Sequence, residues 1–514
     1  MTGWRRRALI AVGGAALAAG LGACSVGPDF LRPPAEAGAG YTPEKLASTT
    51  DAGGVTGGAA QRFLAGTDVP GQWWTLFHSK TLNAMIEEAL RANPDVDAAQ
   101  AALRQAREIG YADQGAFFPT VSGTASNTRE RTSGVSQGHT GSTTFTVDTA
   151  SLSIGYAPDV FGGVRREVES ADAQSEYERF QLEATYLTLT SNVANSAVTL
   201  ASLRDQIAAT KSIIKSESDQ LDVMNRRFEL GSIAKSDVLN QQSALAQARA
   251  TLPPLQKQLA QARNQLMAYL GRFPNQDKGE SFALAALHLP DKLPVSLPSK
   301  LVEQRPDVRA AEAQLHEASA NIGVAIANQL PQFSLTASGG TSAASLDKLF
   351  SPGTAVWSLG QSVATTVFDG GALEHRKRAA EAAYDQSAAQ YRRVVLNAFA
   401  DVANALRALQ ADADTLKADA VAERAASDSL DLTRRQYESG AVDYTTLLTA
   451  QQTYNNAVVT RVRAQAARYS DTVALFQALG GGWWNRADVR PDSEGAPDRL
   501  ALPPVQEIKF SPVQ

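Results

Sequence analysis

Apolar positions change their spacing twice along this chain, each time in the same order. A helix-like segment ends at a proline, Pro119 or Pro331, and gives way to Thr/Ser/Gly-rich sequence in which apolar and polar residues alternate. Alternation with period two is the mark of a strand with chemically different faces. It predicts strands near 120–130 and 144–157, and again near 332–342 and 355–368. In the second pair Phe333, Leu335 and Ala337 share a side, as do Val363, Thr365 and Val367. In the first pair Phe145 and Val147 are one residue out of phase with Leu152, Ile154 and Tyr156, so a bulge or bend near Thr149 is expected. Phe161-Gly162-Gly163 and Phe368-Asp369-Gly370-Gly371 close the two pairs.

The period then becomes helical. No Gly or Pro occurs from Val164 to Leu230 or from Ala372 to Ser439. At ~1.5 Å per residue each stretch spans about 100 Å if continuous. Val402, Leu406, Leu409, Ala413, Leu416 and Ala420 step by four and three, as a coiled-coil seam requires, and Val193, Ala197, Leu200 and Ile207 begin the same pattern. Gly231 and Gly440 supply turns, after which helices return to Leu270 and Leu479, giving hairpins over 164–270 and 372–479. Pro253-Pro254 is expected to break or kink the first return helix.

This repetition is an internal duplication. Asn93-Pro-Asp-Val-Asp-Ala-Ala-Gln-Ala-Ala-Leu103 returns as Arg305-Pro-Asp-Val-Arg-Ala-Ala-Glu-Ala-Gln-Leu315, at an offset of 212. Leu221-Asp-Val-Met-Asn-Arg-Arg-Phe-Glu-Leu-Gly231 returns as Leu430-Asp-Leu-Thr-Arg-Arg-Gln-Tyr-Glu-Ser-Gly440, at an offset of 209. The expected organisation is an export signal (1–23), an N-terminal linker (24–72), a first repeat (73–270), a connection (271–304), a second repeat (305–480) and a tail (481–514). The Gly-rich stretch 52–58 is read as flexible linker.

Arg5, Arg6 and Arg7 precede an apolar run from Ala8 to Leu21 that is too short to cross a bilayer as a helix, the form of a signal peptide. Leu21-Gly22-Ala23-Cys24 resembles a bacterial lipobox and places the only cysteine at the new N-terminus, for N-acyl and S-diacylglycerol attachment at Cys24. Ser25 at the next position favours sorting to the outer membrane. Elsewhere no apolar run is long enough for a spanning helix, so the mature chain is either tethered and soluble or spans as strands.

Charge and chemistry narrow the class further. Lys and Arg number 48 against 53 Asp and Glu, which gives no basic excess for nucleic acid. His78, His139, His288, His316 and His375 have no metal-ligand spacing, and no nucleophile elbow or phosphate loop is present. No cofactor, metal or catalytic residue is expected, and the reading is not an enzyme. Four strands cannot close a barrel, since known outer-membrane barrels begin at about eight. Either several chains share one barrel, or the strands form a soluble hairpin packed on the helices.

The lipobox, Val26-Gly27-Pro28-Asp29-Phe30, Trp73-Trp74-Thr75-Leu76-Phe77, Pro158-Asp159-Val160-Phe161-Gly162-Gly163, Gln304-Arg305-Pro306-Asp307-Val308 and the Gly231 and Gly440 turns together resemble the outer-membrane efflux protein (TolC-like) family. More narrowly they are similar to the lipoproteins that serve resistance-nodulation-division pumps. The resemblance covers nearly all of the mature chain. It implies a mainly α fold with a small transmembrane β part. Duplicated strand pairs and helical hairpins would build a homotrimeric α-barrel tunnel joined to a shared 12-stranded β-barrel. It implies an equatorial belt from 271–304 and the terminal segments, a lipid anchor in the outer membrane, a periplasmic membrane-fusion adaptor and an inner-membrane pump as partners. The implied function is a passive export duct for small drug-like or amphipathic molecules. The alternatives are a type I-like protein secretion channel and a lipid-anchored periplasmic structural or adaptor protein.

Under that resemblance the helix turns lie at the periplasmic tip. The gate and adaptor-contact candidates are Arg226, Arg227, Gly231, Asp237, Arg434, Arg435, Gly440, Asp443 and Tyr444, read against a plain solvated helix end. Asp219 and Asp412 serve as acidic comparison positions away from the turns. Trp73-Trp74 and Trp483-Trp484 are read as belt packing in preference to membrane-interface anchors.

Overall fold

The computed structural model describes residues 25–34, 40–44, 46–133, 140–280 and 282–486. The export signal and Cys24 lie outside the described residues. The elements in chain order are Arg62–Ala65 (β1), Lys80–Ala92 (α1), Pro94–Gln114 (α2), Thr120–Ser133 (β2), Ser142–Tyr156 (β3), Gly163–Glu229 (α3), Lys235–Tyr269 (α4), Lys292–Val295 (β4), Pro298–Gln304 (α5), Pro306–Ala327 (α6), Gln332–Ala343 (β5), Ala355–Ala364 (β6), Ala372–Glu438 (α7) and Tyr444–Ala478 (α8). No helix among them is long and apolar enough to cross a membrane.

The duplication is written into the helix lengths. Helices α3 and α7 each contain 67 residues, and α4 and α8 each contain 35. All four boundaries map from one copy to the other at the 209-residue offset. Asn93 Nδ2 donates to the carbonyl of Tyr269 at the end of α4, and its counterpart Arg305 donates through Nη1 to Ala478 at the end of α8. Each contact satisfies a helix C-terminal carbonyl that has no partner within its own helix. Gly271, the residue after α4's last turn, has φ 68°, and a Cβ there would fall 2.1 Å from the carbonyl oxygen of Ala92.

The chain divides into two compact units. One comprises the described part of 1–34 with 98–182 and 307–396; the other comprises 35–97, 183–306 and 397–486. The first holds an antiparallel sheet in the order β2-β3-β5-β6. Its residues 25–32 are clamped to α3 and α6. Arg166 donates to the carbonyls of Val26 and Gly27 and to Asp29, Phe30 stacks on His316 at 4.4 Å, and Arg32 pairs with Glu312.

In the second unit the seam residues Val402, Leu406, Leu409, Ala413 and Leu416 are buried, as are Val193, Ala197, Leu200 and Ile207. Ala420 is half-buried. Parallel pairing of β1 with β4 joins the N-terminal segment to the 271–304 connection. Trp73 stacks on Phe476 at 5.3 Å, and Trp483 Nε1 donates to the carbonyl of Gln304. Trp73, Trp74 and Trp483 are thus buried within this unit.

Four expectations are corrected. Pro253 and Pro254 lie inside an uninterrupted α4, so they do not break it. Both are exposed, and so are Arg249 and Ala250, whose carbonyls lose their donors, so water can replace the missing bonds. Packing of Ala244, Leu245, Leu266 and Met267 holds the helix on either side. No bulge forms at Thr149, which pairs in register with Ser126 and Ser342; the shift in apolar phase reflects a real change of face chemistry along β3. Strand β6 ends at Ala364, leaving Thr365 and Val367 outside it. Asp369 takes the chain away by accepting from the backbone N–H groups of Gly371 and Leu373 at the start of α7.

The fourth correction is the Gly-rich stretch 52–58, which is a folded turn. Ala52 N–H donates to the Gly58 carbonyl, and Ala52 is 4% exposed. The turn is held by Arg468, a fully buried residue of α8 that donates to the carbonyls of Gly57 and Ala59 and to Gln61 Oε1.

Nearby, Asp412 is no ordinary surface acid. Burial, followed by its hydrogen bond with Asp471 and the charge of that carboxylate, lifts the Asp412 carboxyl to about 7, against the opposing pull of Arg468. A carboxyl raised above its unfolded value favours the folded state most at low pH, and that contribution is lost as pH rises through about 7. Asp412→Asn should therefore gain stability over the parent as pH increases from 5 to 8 and differ little at pH 4. Thermal unfolding of both proteins across that range checks this, and a constant difference would contradict it.

Candidate functional site

Two places carry the chemistry, the four-stranded sheet and the helix turns. In the sheet, antiparallel pairing puts directly opposed residues on the same face. Val121, Ile154, Ala337 and Leu359 form one such row, and Gly123, Leu152, Gly339 and Trp357 form the next. Tyr156 and Leu335 extend this apolar face, interrupted only by Gln361, and Phe333 and Val363 end it. Trp357 and Leu359 are 77% and 76% exposed, so none of the described residues covers this part of the face.

The opposite face is polar from the row of Ser126 and Thr149 downward except at Val356, and Val147 and Phe145 lie above that row. Ser122, Ser153, Ser338 and Ser358 form a row of four serines, with Ser338 Oγ and Ser358 Oγ hydrogen-bonded at 2.8 Å. Thr120, Gly155, Thr336 and Gly360 form the adjacent row. Beyond Ala125 and Ala150 the apolar face also turns polar, at Asn127 and Asp148, which are bonded at 2.6 Å. A band with one apolar side and one hydrated side is what a strand needs to stand between lipid and water. The backbones of β2 and β6 are left as open edges.

At the other place α3 turns into α4 and α7 into α8. Gly231 and Gly440 have φ 70° and 77°, the left-handed conformation that ends a helix with least strain. Matching bonds follow, from Ser232 N–H to the Arg227 carbonyl and from Ala441 N–H to the Gln436 carbonyl. Arg226 and Arg227 occupy the last turn of α3, and Arg435 that of α7. Asp237 is in the first turn of α4. Arg434 lines a small pocket with Glu217, Gln241 and Tyr444. The Arg227 guanidinium lies over the Tyr437 ring at 5.5 Å, and Tyr437 meets Tyr444 edge to face at 5.9 Å.

The two turns then differ. Asp443 caps α8 by accepting from Thr446 N–H at 2.8 Å, while Ala234 gives α4 no side-chain cap. The bonds from Thr446 hold the Asp443 carboxyl below the usual carboxylate range. Tyr444 is buried among Met224, Val238, Leu430 and Leu447. Its hydroxyl donates to Gln241 Oε1, and Gln241 Nε2 donates at 2.7 Å to both the carbonyl and the carboxylate of buried Glu217. Asn455 Nδ2 also donates to Glu217, at 3.3 Å. Burial, with the Glu217 charge second, pushes the Tyr444 hydroxyl well above its ordinary range, so it remains a donor.

Glu217, Gln241 and Asn455 were missed by sequence reasoning. The duplication carried the signal, because their counterparts at the 209-residue offset are Ala426, Ala450 and Ala246. Polar residues standing where the other copy has alanine mark a network that only one arrangement of the two hairpins needs.

Comparison with known proteins decides the assignment. The model of the family described as outer membrane efflux protein matches residues 85–272 and 297–481, both repeats and most of the chain. The chain belongs to the outer membrane efflux protein family. It is an outer-membrane efflux channel, mainly helical with a β part. It is 29% identical over 468 residues to the probable efflux pump outer membrane protein TtgC of Pseudomonas putida, covering 91% of this chain and 94% of that one. It is 31% identical over 419 residues to the pyoverdine export outer membrane protein OpmQ of the same species, covering 80% and 88%. Among solved structures, the outer-membrane channel OprN superposes with a TM-score of 0.79 at 27% identity, over 90% of this chain and all of that one.

Proposed function

We propose that three copies of this channel close a single 12-stranded barrel, with their helical hairpins forming a tunnel. The observation that carries this is the sheet: four strands, two open edges and one exposed apolar face. An open edge in lipid leaves backbone groups unpaired at several kcal/mol each. Joining β6 of one copy to β2 of the next removes every edge. The duct is passive, and an inner-membrane resistance-nodulation-division pump acting through a periplasmic membrane-fusion adaptor drives small, amphipathic cargo into it. Efflux and pyoverdine export in the names of the relatives support such cargo.

Cys24 carries the lipid in this reading. The clamp on 25–32 supports it, because the residue next to Cys24 is held beside Gly162, at the junction of β3 with α3 and therefore at one end of the strands. The turns at Gly231 and Gly440 form the periplasmic tip, where Arg226, Arg227, Asp237, Arg434, Arg435, Asp443 and Tyr444 act in closure and adaptor contact. Among the described residues of one chain, none of these seven is in an ion pair, so pairing that closes the tip would run between chains.

Native mass measurement of the detergent-solubilised protein should give a trimer, and planar bilayers should show single-channel conductance. Mass spectrometry of the mature N-terminus should find a diacylglyceryl and an acyl group on Cys24. A stable monomer with ordered strands would remove the shared barrel; an unmodified Cys24 would remove only the anchor.

A further inference from the structure

The polar face of the sheet carries an inference that rests on the shared-barrel reading. Strands β5 and β6 contain no Asp, Glu, Lys or Arg, although one residue in five of the whole chain is charged. On β2 and β3 the charged residues are Arg129, Glu130, Arg131 and Asp148, all in the half of each strand beside the 134–141 connection. The pairing places Glu130 opposite Phe145, two rows beyond the row of Ser126, Thr149 and Ser342. From that row down to Gln332 and Ala364 the polar face carries only Ser, Thr, Gly, Gln, Ala and Val.

We propose that this serine, threonine and glycine face lines the membrane section of the channel and makes it blind to charge, so that cargo of either sign passes there without an ion-pair site. Three physical reasons support this. A hydroxyl both donates and accepts, so the row of serines can hydrate a cation or an anion equally well. From the row of Ser122 and Ser153 down to Gln332 no described strand residue is charged, and Asp148 lies five residues, ~16 Å, further along β3; that exceeds a Debye length of ~8–10 Å, so the wall exerts little field on a passing ion. Side chains no larger than threonine in the two central rows leave the bore open for bulky amphiphiles. Charge selection by the channel then belongs to the helices and their turns.

The test uses the full-length channel in planar bilayers under a salt gradient, with Cys24→Ser as background to leave one reactive thiol. Ser338→Cys should conduct with the reversal potential of the background. An anionic methanethiosulfonate reagent added from water should then shift it toward cation selectivity, and a cationic one toward anion selectivity. Ala337→Cys, one residue away on the apolar face, should not respond to either. Ser338→Ala combined with Ser358→Ala should leave the permeability ratio unchanged, and a changed ratio would mean the hydroxyls do select. A response at Ala337→Cys with none at Ser338→Cys would invert the faces and overturn the proposal. If the native trimer itself gives no conductance, the barrel reading has failed; a conducting trimer with an unreactive Cys at 338 sinks the lining alone.

Discussion

An Arg468→Ala variant should lose several kcal/mol of stability, because hydrogen bonds from a charged donor contribute about 1.5–3 kcal/mol each and several are lost together. The side chain is fully buried and donates at 2.6–3.4 Å to Gly57, Ala59, Gln61 and Thr49. Its removal strips donors from the carbonyls of Gly57 and Ala59 and takes the nearby cation from Asp412. Both losses act on one place, the turn at 52–58 that precedes β1. Trypsin should then cleave readily after Arg62, which is exposed but lies in β1 beside β4. Arg468→Lys should recover only part of the loss, because one ammonium cannot reach the acceptors that the planar fork bridges. Arg461→Ala serves as comparison. It breaks a partly exposed pair with Glu423 and should cost only ~0–1 kcal/mol. Equal thermal shifts for Arg461→Ala and Arg468→Ala would show that the turn does not depend on Arg468.

Arg468 also shows where sequence reading stops. The duplication fixes the long hairpins because helix period, glycine turns and length are local properties repeated at a constant offset. The strands were legible for the same reason, since alternation and the Phe-Gly-Gly endings are short-range signals. What failed was non-local. Gly-rich 52–58 has the composition of a linker, and nothing within it announces that an arginine some four hundred residues later will satisfy its carbonyls. Arg468 and Tyr469 stand where the first copy has Leu259 and Ala260, so divergence between copies was again the available clue. The break expected at Pro253-Pro254 failed for a different reason. A proline's cost depends on whether the carbonyls it strands can reach water, and exposure is a property of the fold.

At the turns, Asp443→Ala combined with Tyr444→Phe should raise single-channel conductance without lowering trimer yield. Asp443 fixes the first turn of α8 through Thr446, and the alanine leaves that N–H without a side-chain acceptor. Phenylalanine at 444 keeps the buried ring among Met224, Leu430 and Leu447 but removes the hydroxyl that reaches Gln241. An unmet acceptor in that position costs ~1–3 kcal/mol, and the loss recurs in each copy of a trimer. The cost falls on the link between α4 and α8, since Gln241 in turn holds Glu217 on α3. In the proposed channel a closed tip held by such links and by weak contacts between chains would lie close in energy to an open one, so loosening α8 should shift the population toward conduction. Asp219→Ala, at an exposed position on α3, is the proper comparison and should leave conductance unchanged. Asp412 cannot serve there, because its carboxyl is part of the network around Arg468 and Asp471. Equal effects at Asp219 and at the pair would move the barrier away from the turns. Conductance unchanged in the double variant, with trimer yield intact, would mean that this network braces the hairpins without closing them.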